Sequence, residues 1–210
     1  MLNYIKHYIL VILTLTTFLQ SEEPLSIGFW NAENLFDLEN DPNKNDDEFS
    51  IGGRKNVTQE IYDLKIRHCS EVLFDLDTDI LGLCEIENSK VLNDLNTAYI
   101  ERDYSIIHYE SPDNRGIDNA LFYDKNRFSV ISSKAILNTL ENGRNTRDIL
   151  YVEGKFQNKV LHIFINHWPS NYGGREKAIP KRTSTAELII KEIKTLKMND
   201  KFAEIILLGD

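Results

Sequence analysis

Along the chain, apolar residues gather into strand-length runs and runs of helical period that alternate with one another. The strand-like runs are Leu25 to Trp30, Asp79 to Cys84, Tyr104 to Tyr109, Ile117 to Tyr123, Phe128 to Leu137, Ile149 to Phe156, Val160 to Ile165 and Ala203 to Leu208. Between the first two, Ile61, Leu64, His68, Cys69, Val72, Leu73 and Leu76 predict one buried helical face, with Thr58 and Glu60 as its polar start. A short helix is predicted over Asn88 to Ala98. A last one runs over roughly Lys177 to Lys197, with Ala186, Ile189, Ile190, Ile193 and Leu196 inward. The close spacing of the middle runs predicts antiparallel hairpins, with Gln157-Asn158-Lys159 as one turn. Asp37 to Gly53 is polar and acidic, with turn chemistry at Asp41-Pro42-Asn43 and Gly52-Gly53; it predicts a long surface loop, functional or mobile. No linker and no repeat divides these elements, so the pattern is one α/β domain of two packed sheets with helices outside.

Composition sets the outer limits. A chain of 210 residues, 41% hydrophobic and 27% charged, can bury a sizeable core, which excludes disorder over most of its length. Lys6 and His7 precede an apolar, Thr-rich run from Tyr8 to Leu19. That run is shorter than the roughly 20 residues of a membrane span and has the form of a secretory h-region. Residues 1–21 are therefore expected to be a signal peptide and residues 22–210 the domain. Leu19 is a poor residue ahead of a cut after Ser21, which leaves the cleavage site open. Export to the periplasm or medium is expected, with an N-terminal membrane anchor as the alternative and no stable membrane span elsewhere. The formal net charge is −9, and loss of residues 1–21 would remove Lys6 and no acid. Such acidity excludes a protein that grips nucleic acid with a broad basic surface. It leaves room for an enzyme that meets phosphate through a bound cation. Cys69 sits on a helical pattern and Cys84 in an apolar strand, so both read as buried thiols.

The chemistry lies where apolar strands end. Leu25 to Trp30 leads into Asn31, Asp79 to Cys84 into Glu85, Val160 to Ile165 into Asn166-His167, and the last strand into Gly209-Asp210. Any one of these would pass for a solvated strand end, but four polar groups each held by a strand make a phosphate-and-metal site. Arg147 and Arg115 add planar guanidinium forks suited to phosphate, Arg115 being equally able to pair with one of the many acids. Arg175, Lys177, Lys181 and Arg182 near the start of the last helix add positive potential, or form a solvated helix face.

Five segments in order, Phe29-Trp30-Asn31-Ala32-Glu33-Asn34-Leu35-Phe36, Leu81-Gly82-Leu83-Cys84-Glu85-Ile86-Glu87, Arg115-Gly116-Ile117-Asp118-Asn119-Ala120-Leu121, Asn166-His167-Trp168-Pro169-Ser170 and Leu208-Gly209-Asp210, resemble the endonuclease/exonuclease/phosphatase superfamily, of the DNase I-like fold, in its exported bacterial form. The resemblance implies a four-layer α/β sandwich, two packed mixed sheets flanked by helices, with the active site at one edge and Mg²⁺ or Mn²⁺ as cofactor. It implies that Glu85 and Asn31 hold the metal, that His167 contacts the scissile phosphate, and that Asp210 orients or deprotonates the attacking water. Arg147, with Arg115 beside it, would bind substrate phosphate. Glu87 is a weaker metal candidate and reads as structural. The implied activity is metal-dependent hydrolysis of phosphate esters, foremost phosphodiesters of nucleic acid. Phosphatase or phospholipase action on lipid or inositol phosphate headgroups is the alternative, because one fold hosts them all. The family pattern continues with an Asn two residues past the final Asp and a later Asp-His pair. Both are missing from this sequence, so a C-terminally truncated chain is expected, close to inactive by itself or a non-catalytic remnant. Oligomeric state is open.

Overall fold

A computed structural model describes residues 23–210; the segment expected to be a signal peptide lies outside the described residues. In chain order the elements are β1 (Ile27–Leu35), α1 (Gln59–Leu76), β2 (Ile80–Ile86), α2 (Ser89–Ala98), β3 (Ser105–His108), β4 (Asp118–Tyr123), β5 (Ser129–Ile136), β6 (Ile149–Phe156), β7 (Lys159–Asn166), α3 (Arg175–Asn199) and β8 (Glu204–Gly209). Eight strands form two four-stranded sheets, in the orders β1-β2-β4-β3 and β5-β6-β7-β8. Each sheet is mixed: β1 runs parallel to β2 and β7 parallel to β8, while the other pairings are antiparallel.

Three apolar clusters define four layers. Leu83, Ile86, Ala120 and Phe122 on the outer face of the first sheet meet Leu73 of α1 and Leu92 and Leu95 of α2. Ile80, Leu121, Phe128, Val152, Ile163 and Ile165 fill the space between the sheets. On the far side Tyr151 and Phe164 pack against Ile189 of α3. Because β2, β4, β6 and β7 are covered on both faces, their sequences are near-continuous apolar runs rather than alternating ones. The predicted turn at residues 157–159 is a two-residue hairpin, with Gln157 at φ 55° and Lys159 already paired with Phe156.

Two helical faces differ from expectation. α1 buries Tyr62, Ile66, Cys69 and Leu73, whereas Ile61, Leu64 and Leu76 stay substantially exposed. The predicted face is turned by a fraction of a turn because Tyr62 and Ile66 reach the sheet, and Tyr62 also donates to Asp94 on α2 at 2.6 Å. On α3, Ile190 is exposed while Thr185 and Ile189 are buried, since Thr185 meets Asn138 of the second sheet's loop. A polar contact there fixes the helix rotation that apolar periodicity alone misplaces.

The long loop after β1 is pinned. Phe36 stacks on Phe49 at 4.2 Å, Asp37 N–H donates to Glu87 Oε2 at 2.5 Å, and Lys44 Nζ donates to the carbonyls of Ser111 and Asp113. Glu87 thus faces the loop anchor. Burial, with the Asp37 and Asp46 carboxylates close by, pushes its carboxyl up to about 8. Cys69 and Cys84 are both buried free thiols. Among the described residues no helix is long and apolar enough to cross a membrane.

Candidate active site

Topology gathers the polar strand ends at one edge. β1, β2, β7 and β8 all finish there, and β4 and β6, antiparallel to β2 and β7, begin there. The end of β2 therefore meets the loop before β4, which carries Asp113 and Arg115. The end of β7 meets the segment before β6, which carries Arg147.

Two adjacent strands break regularity at this edge. The β1–β2 register shifts between Asn31 and Leu35, with Glu33 at φ 51° and Asn34 at φ 60°. The β2–β4 register shifts between Cys84 and Ile86, where Glu85 stands at φ 60°. Non-glycine residues in the left-handed region are costly, and bulges of this kind re-aim a side chain out of the alternating pattern. Lys65 on α1 holds the first bulge, its Nζ donating to the carbonyls of Glu33 and Asn34 at 2.7 and 2.8 Å. Asn31 accepts from Glu33 N–H through Oδ1 and donates through Nδ2 to Asp210 Oδ2 at 2.8 Å. That last bond joins the two sheets across the site.

Gly209 is required by closeness. A Cβ there would lie 2.6 Å from the Asn166 carbonyl oxygen. Without it the ends of β7 and β8 stay joined, Asp210 N–H donating to Asn166 O at 3.2 Å and Trp168 N–H to Asp210 O at 2.9 Å. Asp210 and His167 are thereby set on adjoining strand ends.

His167 Nε2 lies 3.5 Å from Glu85 Oε1. Burial, helped by the Arg147 charge, lowers the His167 pKa to about 4, so the ring is neutral near pH 7. The ring therefore rests as a neutral donor or acceptor rather than as an imidazolium. Arg147 is buried, donating to Asp113 Oδ2 at 3.2 Å and to the Trp168 carbonyl at 2.8 Å. Asp113 was not singled out by the sequence. Its neighbour Arg115, with Nε 3.7 Å from Asp113 Oδ1, was. The signal for Asp113 was its place two residues before Arg115 in a loop opening a strand. Glu85, Arg115, Arg147, His167 and Asp113 line one open cavity of about 420 Å³. Asn31 and Asp210 are joined to it through His167.

Several buried polar atoms here have no hydrogen-bond partner: Arg147 Nε, His167 Nδ1 and Asn166 Oδ1. Glu85, only 13% exposed at its side chain, accepts no hydrogen bond among the described residues. A mostly buried carboxylate without a hydrogen-bond donor has room for a bound cation, and the neutral His167 does not supply one. Glu85, the Asn31 amide and Asp210 offer hard oxygen donors, the set that Mg²⁺ or Mn²⁺ takes together with water and phosphate. Cys84 Sγ also lies within 4.8 Å of ligand atoms of His167 and Asp210. Burial first, then the Glu85 and Asp210 charges, push its thiol pKa far up, so it stays protonated and is a poor ligand. The residues present therefore fit a hard divalent cation on the oxygen side of the site.

Two packed mixed sheets with helices outside, and polar strand ends converging at one edge, define a four-layer α/β sandwich with a candidate site at the sheet edge. The chain belongs to the Endonuclease/Exonuclease/phosphatase family, whose model matches residues 26–210. Members of that family are phosphoester hydrolases that typically use divalent metals. Among solved structures the chain is similar to TDP2 from Caenorhabditis elegans, with 15% identity and a TM-score of 0.61, over 89% of this chain and 46% of that one. It is similar to a Bacteroides thetaiotaomicron mannosyl-6-phosphatase, with 18% identity and a TM-score of 0.59, over 89% of this chain and 65% of that one. A third is D. rerio TDP2 complexed with a single-strand DNA product, with 19% identity, a TM-score of 0.56, and 89% and 60% coverage. At such identities the likeness shows the fold. The chain spans about half to two thirds of the length of these structures. A search of curated proteins gave no match.

Proposed function

We propose that this chain carries the site of a metal-dependent phosphoester hydrolase acting on phosphodiesters of nucleic acid, in a protein exported from the cytoplasm. The observation that supports it most is the division of the site into two unlike sides. Glu85, without a hydrogen-bond donor, and the nearby Asn31 and Asp210 offer anionic and amide oxygens, while Arg147 and Arg115 offer guanidinium in the cavity that Glu85 and His167 also line.

Glu85 and Asn31 would hold the cation, which when bound neutralises phosphate charge and eases departure of the leaving oxygen. Arg147, kept in place by Asp113 and the Trp168 carbonyl, binds a non-bridging phosphate oxygen through its remaining N–H groups. His167, neutral at rest, donates a hydrogen bond to an oxygen on which charge grows in the transition state. Asp210 has one carboxylate oxygen occupied by the Asn31 amide and the other free to orient a water for attack on phosphorus and to take its proton. In-line displacement then breaks the bond from phosphorus to the leaving oxygen.

The export component rests on residues 1–21 alone. The test of the reaction is a panel of single-stranded DNA, RNA, a sugar 6-phosphate and a phospholipid headgroup ester, each with Mg²⁺, Mn²⁺ or chelator. Cation-dependent release of nucleotides that E85Q abolishes supports nucleic acid as substrate. Turnover confined to the monoester or the headgroup would replace the nucleic-acid assignment with phosphatase or phospholipase action.

A further inference from the structure

The loop between β5 and β6 holds a cation that the chemistry at Glu85 does not use. Thr139 and Asn145 pair as an isolated bridge, Leu140 N–H donates to Arg144 O at 2.9 Å, and Gly143 N–H donates to Leu140 O at 2.8 Å. Arg144 N–H donates to Asn142 Oδ1 at 3.1 Å, and Gly143 takes φ 76° to close the turn. Arg144 thus stands on a small hairpin whose backbone bonds are made internally. The base of that hairpin is fastened to α3: buried Asn138 donates through Nδ2 to Thr185 Oγ1 at 3.2 Å. Lys181 lies one helical turn before Thr185, on the same face, and Thr185 Oγ1 donates to its carbonyl at 3.2 Å. Hairpin and helix consequently bring Arg144 and Lys181 to the wall of the cavity that Glu85, Arg147 and His167 line.

Of the helix cations marked in the sequence, Arg175 and Arg182 line a separate cleft beside Trp168 and Ile179. Lys181 is the one at the reaction cavity. Arg115 and Arg147 share Asp113, yet neither Arg144 nor Lys181 makes an ion pair among the described residues. Acids outnumber bases 33 to 24 in this chain, so two cations without ion pairs lining one cavity run against the overall charge. Two such cations on the wall of one cavity raise its positive potential, which favours a bound anion.

We propose that Arg144 and Lys181 form a second anion subsite in this cavity, taking another phosphate of the same substrate. The inference rests on the reaction-centre assignment above and narrows its substrate class to compounds with two phosphates, one at Arg147 and one at the Arg144–Lys181 wall. A cavity of about 420 Å³ accommodates a ligand the size of a nucleotide or sugar bisphosphate. The second phosphate comes either from the neighbouring position of a nucleic-acid strand or from another hydroxyl of a sugar ring.

Calorimetric titration of the whole chain with Mg²⁺ present tests this without requiring turnover. The probes are adenosine 5′-monophosphate, adenosine 3′,5′-bisphosphate, glucose 6-phosphate and glucose 1,6-bisphosphate. In at least one pair the bisphosphate should bind about tenfold or more tightly than its monophosphate, the scale of a charge-assisted phosphate contact. R144Q and K181Q should each erase most of that advantage while leaving the monophosphate affinity within about twofold, since both contacts are to the second phosphate alone. R147Q should weaken both members of a pair. An advantage in the adenosine pair supports a nucleic-acid source, and one in the glucose pair a sugar source. Equal affinities within both pairs, or R144Q and K181Q weakening mono- and bisphosphate alike, overturn the second subsite while the reaction centre stands. Failure of all four probes to bind overturns both.

Discussion

Strand β2 carries a carboxylate at each end, and the two are treated in opposite ways. Asp79, just before β2, accepts from Ser26 N–H at 2.9 Å, Ser26 Oγ at 3.0 Å, Arg102 at 3.1 Å and Arg127 at 3.3 Å. Burial alone would raise its pKa, but hydrogen bonds from Ser26, Arg102 and Arg127 more than offset that and hold it below the usual carboxylate range. Glu85, near the other end, sits on a left-handed bulge with no hydrogen-bond donor among the described residues. Asp79 and its arginines form a saturated network, which stabilises the fold and has no capacity left for a ligand. Glu85 faces an arginine too, but the hydrogen bonds of Arg147 go to Asp113 and the Trp168 carbonyl and none to Glu85. Carboxylates and arginines at strand ends therefore do not by themselves mark a site. Unfilled hydrogen-bonding capacity does.

The largest effect that would break or sharpen this contrast is on turnover. Where cation-dependent hydrolysis is measurable, H167A and R147A should each lower its rate about a thousandfold, as removal of one member of a cooperating catalytic unit commonly does. D79N should leave the rate within a few-fold once the protein is folded. Comparable losses in D79N and H167A would erase the distinction between the two ends.

Next in size is stability. D79N takes one charged partner from Arg102, which keeps Asp77 and Asp124, and one from Arg127, which keeps Glu23, and should destabilise the fold by about 2 kcal/mol, read as a lower urea midpoint. E85Q should have a midpoint at or above that of the parent, because it removes an uncompensated buried charge. The cation response should invert: Mg²⁺ or Mn²⁺ should raise the melting temperature of the parent and of D79N, and leave that of E85Q unchanged.

A subtler consequence concerns pH. The folded-state pKa of Asp79 lies below its unfolded value, so its contribution is complete above the unfolded pKa near 4 and lost as pH falls through the folded one. Unfolding free energy of the parent should therefore drop more steeply below about pH 4 than that of D79N. Parallel acid limbs would show that the network does not set the Asp79 pKa.

The smallest expected effect tests how the open end is held. K65M removes two charge-assisted bonds to the Glu33 and Asn34 carbonyls. It should cost about 1 kcal/mol and weaken the cation response by a few-fold through a loosened Asn31. An unchanged cation response would show that the β1 bulge holds Asn31 without Lys65.

The sequence by itself determined the strands and helices of the described residues and the layered α/β class, and it named the candidates Asn31, Glu85, Arg115, Arg147, His167 and Asp210. Those features are local: apolar run length gives a strand buried on both faces, and a polar residue ending such a run marks the sheet edge. Several things were decided only by tertiary structure. The rotations of α1 and α3 follow from Tyr62 meeting Asp94 and Thr185 meeting Asn138, partners 32 and 47 residues away in sequence. The bulges that re-aim Asn31 and Glu85, the neutrality of His167, the dependence of Arg147 on Asp113 and the placement of Arg144 and Lys181 on one cavity wall arise in the same way. Each is set by the field and contacts of groups distant along the chain, and local periodicity holds no record of which distant group will be there.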